Sequence, residues 1–176
     1  MVVYKFVLDI IFKNTKFNGR VVDFGCGEGL YSKSLIEAGF IYTGVDQSTR
    51  GDSFVTSDIR STPLENNCAD TVFGVAAFYF AGPAAFEEAF RLLDKDGKLI
   101  IFDYKKRVLK KIDKLNPDLG ISCWSKRDLF NALEKCGFRS IAEISYSHPF
   151  NRLRLFSLKG IKSFFFSSWV IILAVK

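Results

Sequence analysis

The chain has 176 residues, of which 48% are hydrophobic and 25% are charged. That length allows one domain with a full core and is too short for two, so we expect a single domain spanning residues 1–176. The hydrophobic share excludes an intrinsically disordered chain.

The net charge of +6 is distributed unevenly along the chain. Residues 1–103 carry 10 Lys/Arg and 14 Asp/Glu, a net charge of −4, whereas residues 104–176 carry 15 and 5, a net charge of +10. A basic second half favours an anionic substrate or nucleic acid. The alternative, that lysines simply keep surface helices solvated, has equal weight.

Nothing in the sequence predicts export or membrane insertion. Charged residues interrupt the apolar positions of Met1–Phe17, so no secretory signal is visible, and the apolar run Phe164–Val175 is too short to cross a bilayer. Four scattered cysteines without C-x-x-C spacing and a single histidine argue against a metal site. We therefore expect a cytoplasmic protein with reduced thiols, no metal and no membrane contact.

Apolar residues recur at helical spacing over Val2–Phe12, which predicts an amphipathic helix. A short buried strand follows, and Asp23 closes it. The next residues, Gly25–Gly29, read GCGEG, a turn in which glycines tolerate positive φ and let a ligand approach the backbone. A helix predicted over Leu30–Ala38 would point its free N–H groups at that ligand.

Spacing in this turn narrows the class of ligand. A dinucleotide-binding turn needs G-x-G-x-x-G, and Leu30 stands in place of its third glycine. No Gly-Lys-Ser/Thr follows, which excludes a P-loop. The carboxylate of Asp23 would repel pyrophosphate and suits a cationic group, such as an ammonium or a sulfonium.

The run RVVDFGCGEGLYSKSL resembles the glycine-rich motif of the class I S-adenosylmethionine-dependent methyltransferases, with a type 11-like domain. The resemblance implies S-adenosyl-L-methionine as cofactor. It extends over nearly the whole chain, since the later segment AFEEAFRLLDKDGKLIIFDY also matches the family's helix, charged turn and apolar strand.

The second strand, predicted over Phe40–Val45, ends at Asp46, whose carboxylate can accept both hydroxyls of a ribose. Dinucleotide-binding enzymes share this feature. The structural alternative is that Asp46 caps the N-terminus of a helix. After a third strand at Ser53–Thr56, the resemblance implies that Asp58 takes the adenine amine and that Ile59 packs on the ring.

The fourth strand is predicted over Thr71–Phe78. In the resembled family its carboxyl end lines the site of methyl transfer, and Ala76 and Ala77 are small enough for a close approach of the backbone. Tyr79 supplies the polar side chain of this segment and is the candidate catalytic residue.

The rest of the chain completes the alternation of helices and strands. We expect a helix from Pro83, a turn at Asp94–Gly97 and a fifth strand at Lys98–Phe102. Ser125 and Asp128 form a predicted capping box for a further helix, which Gly137 ends.

Two final strands are predicted at Arg139–Ser147 and Ser168–Lys176, the second of them antiparallel as the resembled fold requires. The basic stretches 105–114 and 152–162 are either substrate-binding arms or solvated surface. His148 is either a proton acceptor or a surface turn residue.

These patterns predict an α/β, Rossmann-like, doubly wound sheet of seven strands, mostly parallel with an antiparallel last strand and helices on both faces. The predicted cofactor-binding residues follow the strands in chain order: Asp23, Gly25, Cys26, Gly27, Gly29, Asp46, Gln47, Asp58, Ile59, Ala76 and Ala77. The predicted function is methyl transfer to a small-molecule acceptor. RNA or another anionic macromolecule is the alternative acceptor, and a non-catalytic cofactor-binding module is the second alternative.

Overall fold

The computed structural model describes residues 2–16, 18–48, 51–144 and 169–176. His148 and the basic stretch 152–162 lie outside the described residues.

One sheet of seven strands organises the described chain, in the order β3-β2-β1-β4-β5-β7-β6. The strands are β1 (Arg20–Phe24), β2 (Ile41–Asp46), β3 (Phe54–Thr56), β4 (Ala69–Val75), β5 (Leu93–Tyr104), β6 (Arg139–Glu143) and β7 (Trp169–Val175). Strands β1 to β5 pair in parallel, and β7 runs antiparallel to both β5 and β6. This confirms the predicted fold class, including the antiparallel last strand.

Six α-helices cover the sheet within the described ranges: α1 (Val2–Asn14), α2 (Ser32–Glu37), α3 (Phe78–Ala81), α4 (Pro83–Leu92), α5 (Lys106–Leu115) and α6 (Lys126–Lys135). Alternate strand residues face two separate apolar clusters. Val21 packs in a cluster with residues of α1 and α2, whereas Val22 and Phe24 pack in a cluster with residues of α4 and α6. Helices therefore lie on both faces, as predicted.

The strand order creates the switch point that positions a ligand. The chain runs outward from β1 through β2 to β3 and then returns to pair β4 with the other side of β1. Loops after β1 and β4 consequently diverge at the carboxyl edge of the sheet, which leaves a crevice between them.

The fourth strand is shorter than predicted. It ends at Val75, because Ala76 adopts a left-handed φ of 57°. The Ala76 N–H still donates to the carbonyl of Phe102 at 2.8 Å, as the last bond between β4 and β5. The chain then turns into α3, so Phe78 is helical. The predicted strand continued across this turn because the segment is apolar and rich in β-forming residues, and no glycine or proline interrupts it.

Other boundaries differ for local reasons. The expected turn at Asp94–Gly97 lies within β5, where the register with β4 shifts and Asp96 has a φ of 61°. Helix α2 begins at Ser32 because the chain is still turning at Leu30. Strand β6 ends at Glu143.

The start and end signals of α6 are confirmed. The Ser125 side chain accepts from the Asp128 N–H at 3.2 Å, and the Asp128 carboxylate accepts from the Ser125 N–H at 2.9 Å. Gly137 follows the helix with a φ of 100°. Stretch 105–114 falls mainly in α5, which buries Leu109 and exposes Lys110 and Lys114.

Candidate functional site

The glycine turn after β1 lies directly against the end of β4. Gly25 has a φ of 68°, and a Cβ placed on it would lie 2.6 Å from the Cβ of Ala77. Its N–H donates to the carbonyl of Val45 at 2.8 Å, which ties the turn to β2. Any larger residue at Gly25 would push the turn away from β4 and widen the crevice.

The space in front of Gly27 is open. This residue has a φ of 54°, and a Cβ built on it would meet no atom within 4 Å. Its N–H donates to Oδ2 of Asp46 at 3.1 Å. The backbone at Gly27 is thus open to close approach beside a carboxylate, the arrangement that a ribose-bearing ligand requires.

Asp46 lies at the tip of β2 and organises the neighbouring loop. In addition to the Gly27 contact, its Oδ1 accepts from the N–H and the hydroxyl of Ser48, both at 3.2 Å. These bonds form a local turn, and no helix begins between β2 and β3 within the described residues, so Asp46 does not cap a helix there. Its contacts leave this carboxylate partly exposed at the carboxyl edge of the sheet.

Gln47 and Asp58 meet at the next strand tip. The Gln47 amide donates to Asp58 Oδ2 at 3.5 Å, and the Ser57 N–H donates to the carbonyl of Asp46 at 3.0 Å. The structure therefore brings together the predicted residues of the second and third strand ends.

Asp58 has a partner that the sequence pattern does not show. The Arg60 guanidinium donates to both of its carboxylate oxygens, at distances between 2.5 and 3.0 Å. This pairing lowers the pKa of Asp58, so the carboxylate stays ionised. An adenine amine placed here would share the carboxylate with Arg60. The predicted adenine neighbour, Ile59, packs against the apolar cluster on the α4 face.

Asp23 lies beneath the glycine turn, where only 2% of it is exposed. The Tyr42 hydroxyl donates to its Oδ2 at 2.9 Å. Burial raises the pKa of Asp23 to about 8 despite that hydrogen bond, and it raises the pKa of the Cys26 thiol to about 12. Cys26 is therefore an unreactive, mostly buried thiol.

Tyr79 is 6% exposed and packs with Leu109 and Ile121 in a small cluster beside α5. Burial raises the pKa of its phenol to about 12, which makes it a poor proton acceptor near neutral pH. Its backbone N–H donates to Oδ2 of Asp103 at 3.1 Å.

Asp103 is a candidate residue that sequence reasoning missed. It lies at the carboxyl end of β5, is 4% exposed, and accepts from the N–H groups of Tyr79 and Tyr104 at 3.1 and 2.7 Å. Burial raises its pKa to about 7. The sequence does contain a signal for this residue: Asp103 follows an apolar strand just as Asp23 and Asp46 do.

A cavity of about 350 Å³ opens next to Asp103, on the face of the sheet that carries α4 and α6. Its wall includes Phe78, which directly follows Ala77 at the switch point. The remaining lining is aromatic, aliphatic and basic: Phe86, Asp103, Tyr104, Lys105, Lys106, Arg107, Leu109, Trp124, Ser125, Lys126, Leu129, Glu143 and Val170.

Metal-ligand clusters and membrane-spanning helices are both absent from the described ranges. No three His, Cys, Asp or Glu side chains lie close enough there to hold a metal ion. Likewise, no helix in that part of the chain has the length and apolar character needed to cross a membrane.

Comparison with known proteins agrees with this geometry. Residues 22–101 match a protein-family model described as a methyltransferase domain. No curated protein sequence matches the chain.

Several solved structures share the fold at low sequence identity. The S-adenosylmethionine-dependent methyltransferase of Mesorhizobium loti is 14% identical, with a TM-score of 0.74 over 96% of each chain. Phosphoethanolamine N-methyltransferase 2 of Haemonchus contortus, solved with S-adenosyl-L-methionine, is 20% identical, with a TM-score of 0.73 over 98% of this chain and 52% of that one. A Haloferax volcanii protein in complex with the Trm112 methyltransferase activator is 18% identical, with a TM-score of 0.69 over 98% of this chain and 92% of its own.

The family-model match over residues 22–101 agrees with the predicted family, and the predicted cofactor agrees with the ligand of the Haemonchus structure. The matched segment contains the glycine turn, Asp46, Asp58 and the end of β4, so the family match and the geometry point to the same crevice. The chain therefore has the fold of the S-adenosylmethionine-dependent methyltransferases, and its residues 22–101 match the model of a methyltransferase domain.

Proposed function

We propose that this protein transfers a methyl group from S-adenosyl-L-methionine to a small-molecule acceptor, on one domain spanning residues 1–176. The observation that carries the proposal is the open space before the Gly27 backbone, flanked by the Asp46 carboxylate at the switch point of the sheet. An adenosine-type ligand needs a close approach to the backbone, which Gly27 allows, and a carboxylate at the strand tip, which Asp46 supplies.

The residues that would hold the cofactor lie at successive strand ends along the carboxyl edge of the sheet. Asp46 would accept the ribose hydroxyls, Gln47 and Asp58 would meet the adenine, and the backbone at Ala76 and Ala77 would bound the methionyl part. Gly25, Gly27 and Gly29 would give the backbone its close approach. When bound, the cofactor supplies a methyl group already activated by its sulfonium, so the protein's main tasks are to orient the acceptor and exclude water.

The first test is calorimetric titration of the purified protein with S-adenosyl-L-methionine, with NAD as a matched control that also carries an adenosine. We expect micromolar binding of the first and none of the second, because Leu30 replaces the glycine that a dinucleotide needs. Binding of NAD alone would overturn the proposal. Cofactor binding without turnover on any acceptor pool would instead favour the non-catalytic module.

RNA is a second candidate acceptor, which the basic helix α5 favours. Lys110 and Lys114 are exposed on this helix, while Leu109 on its opposite side is buried. Binding to bulk RNA should then weaken steeply between 50 and 200 mM salt, because released counterions drive such binding. Absence of salt-sensitive binding would leave the small-molecule acceptor.

A further inference from the structure

The cavity beside Asp103 adjoins the predicted point of methyl transfer. Ala77, whose Cβ bounds the glycine turn at Gly25, is followed directly by Phe78 in the cavity wall. Asp103 accepts from the N–H of Tyr79, one residue further on. A molecule in the cavity would therefore lie against the same backbone segment that borders the cofactor crevice.

The inner surface of the cavity suits a planar apolar group. Phe86 stacks on Phe78 with ring centroids 5.4 Å apart, and Trp124 packs on Phe86 with centroids 5.8 Å apart. Within the described part of the chain, the buried Nε1–H of Trp124 has no hydrogen-bond partner. A buried donor left unpaired is unfavourable, so a ligand that offers it an acceptor atom would be favoured.

The rim of the cavity is cationic. Lys105, Lys106, Arg107 and Lys126 all line it. Lys106 pairs with Asp128 at 3.6 Å and Lys126 pairs with Glu143 at 2.8 Å. Among the described residues, Lys105 and Arg107 have no ion pair, and both side chains are exposed. Two cations at the mouth therefore remain for an anionic group of a ligand.

We infer that this cavity is the acceptor site and that it takes a small aromatic acid. The ring would lie against Tyr104 and Trp124, the partly exposed aromatic residues of the cavity wall. The acidic group would meet Lys105 and Arg107, and the hydroxyl or amine to be methylated would donate to the Asp103 carboxylate. This inference rests on the proposed function and adds the chemical class of the acceptor.

Electrostatics at Asp103 agree with that orientation. The titratable and charged groups on the elements packed around it are Tyr79 on α3, Tyr104 at the end of β5, Lys105 directly after β5, Lys106 and Arg107 on α5, Lys126 on α6 and Glu143 on β6. Burial raises the pKa of Asp103 to about 7, so near neutral pH this carboxyl can exchange a proton with a bound hydroxyl.

The inference is tested by calorimetry at pH 8 on the full chain saturated with S-adenosylhomocysteine, which carries no transferable methyl group. The probes are three phenols of similar size: 4-hydroxyphenylacetate, which is anionic, 4-ethylphenol, which is neutral, and tyramine, which is cationic. We expect the anion to bind roughly tenfold more tightly than the neutral phenol and tyramine to bind most weakly, since a tenfold difference corresponds to about 1.4 kcal/mol, which two solvent-exposed ion pairs can supply.

A charge-matched pair of variants locates the effect. Lys105→Gln with Arg107→Gln should reduce the anion's affinity to that of 4-ethylphenol. Lys13→Gln with Lys95→Gln removes the same charge from exposed positions on α1 and on the Asp94–Gly97 segment of β5, and should leave the affinity unchanged. Asp103→Asn should reduce the advantage of 4-hydroxyphenylacetate over phenylacetate, which lacks the hydroxyl, because a neutral amide oxygen replaces the charged carboxylate as acceptor.

The outcomes separate the two proposals. If S-adenosylhomocysteine binds but no phenol binds, or if tyramine binds as tightly as the anion, the inference is overturned and the proposed function stands. If neither S-adenosylhomocysteine nor S-adenosyl-L-methionine binds, the proposed function fails, and the inference fails with it.

Discussion

Asp46→Ala is expected to weaken the binding of S-adenosyl-L-methionine by well over tenfold. The Asp46 carboxylate is the acceptor available to the ribose hydroxyls beside the open face of Gly27. A hydrogen bond to a charged group contributes about 1.5–3 kcal/mol, and about 1.4 kcal/mol corresponds to a factor of ten in affinity. Loss of two such bonds therefore exceeds a tenfold effect, and calorimetric titration measures it directly.

Ser48→Ala is the matched control for this variant. It removes the hydroxyl that donates to Asp46 Oδ1 at 3.2 Å but leaves the carboxylate and its bond from the Gly27 N–H in place. We expect its affinity to stay within about threefold of wild type, because one exposed neutral donor contributes about 0.5 kcal/mol. Equal affinities for wild type and Asp46→Ala would rule out the ribose assignment.

Asp23→Asn is expected to stabilise the free protein at alkaline pH and to weaken cofactor binding. Because burial raises the pKa of Asp23 to about 8, the carboxyl keeps its proton in the folded chain at pH values where the unfolded chain has lost it. Wild-type stability should therefore fall as pH rises from the ordinary carboxyl pKa towards 8, and the loss should be complete above that value. Below the ordinary pKa, both states are protonated and no difference arises.

The size of this effect follows from the shift. Each pKa unit corresponds to about 1.4 kcal/mol, so a rise from about 4 to about 8 sets an upper bound of about 5 kcal/mol. An asparagine amide left partly unpaired would offset about 1–3 kcal/mol of the gain. Urea unfolding at pH 5 and pH 9 should show wild type losing several kcal/mol more than Asp23→Asn over this interval.

Two comparisons make the result specific to Asp23. Asp118→Asn changes the net charge equally at an exposed position and should follow the pH dependence of wild type. Asp103 contributes its own pH dependence, but the contribution is common to all three proteins and cancels in their differences. Parallel stability curves for wild type and Asp23→Asn would show that the buried carboxyl does not titrate as proposed.

Cofactor affinity is the second readout of Asp23→Asn. The substitution removes the carboxyl beneath the glycine turn, which a cationic ligand group would cause to ionise by lowering its pKa. The variant can form no negative charge there to balance that group. A variant that gains stability yet loses affinity would show that the buried acid serves binding rather than folding. A gain in both would remove Asp23 from the cofactor site.

The sequence by itself determined those features whose causes are local. The glycine turn after β1, the capping box of Ser125 with Asp128 and the helix end at Gly137 each depend on residues within a few positions, and all three are present. Apolar strands closed by an acid likewise placed Asp23 and Asp46 correctly at strand ends.

The tertiary structure decided what depends on residues distant in the chain. Tyr42 and the packing above β1 bury Asp23, so its carboxyl lies beneath the turn instead of on the surface of the crevice. The end of β4 is set by the left-handed φ of Ala76, although no glycine at this position predicts such a conformation.

The cavity beside Asp103 also depends on residues that are distant in the chain. Its wall combines Phe78, Asp103, Trp124 and Glu143, which come from four separate segments and meet only when β5, α6 and β6 are assembled. Periodicity and spacing report which residues share one helix or strand, but contacts between elements depend on packing. For that reason the sequence determined the cofactor class and the fold, while only the folded chain showed where an acceptor could bind.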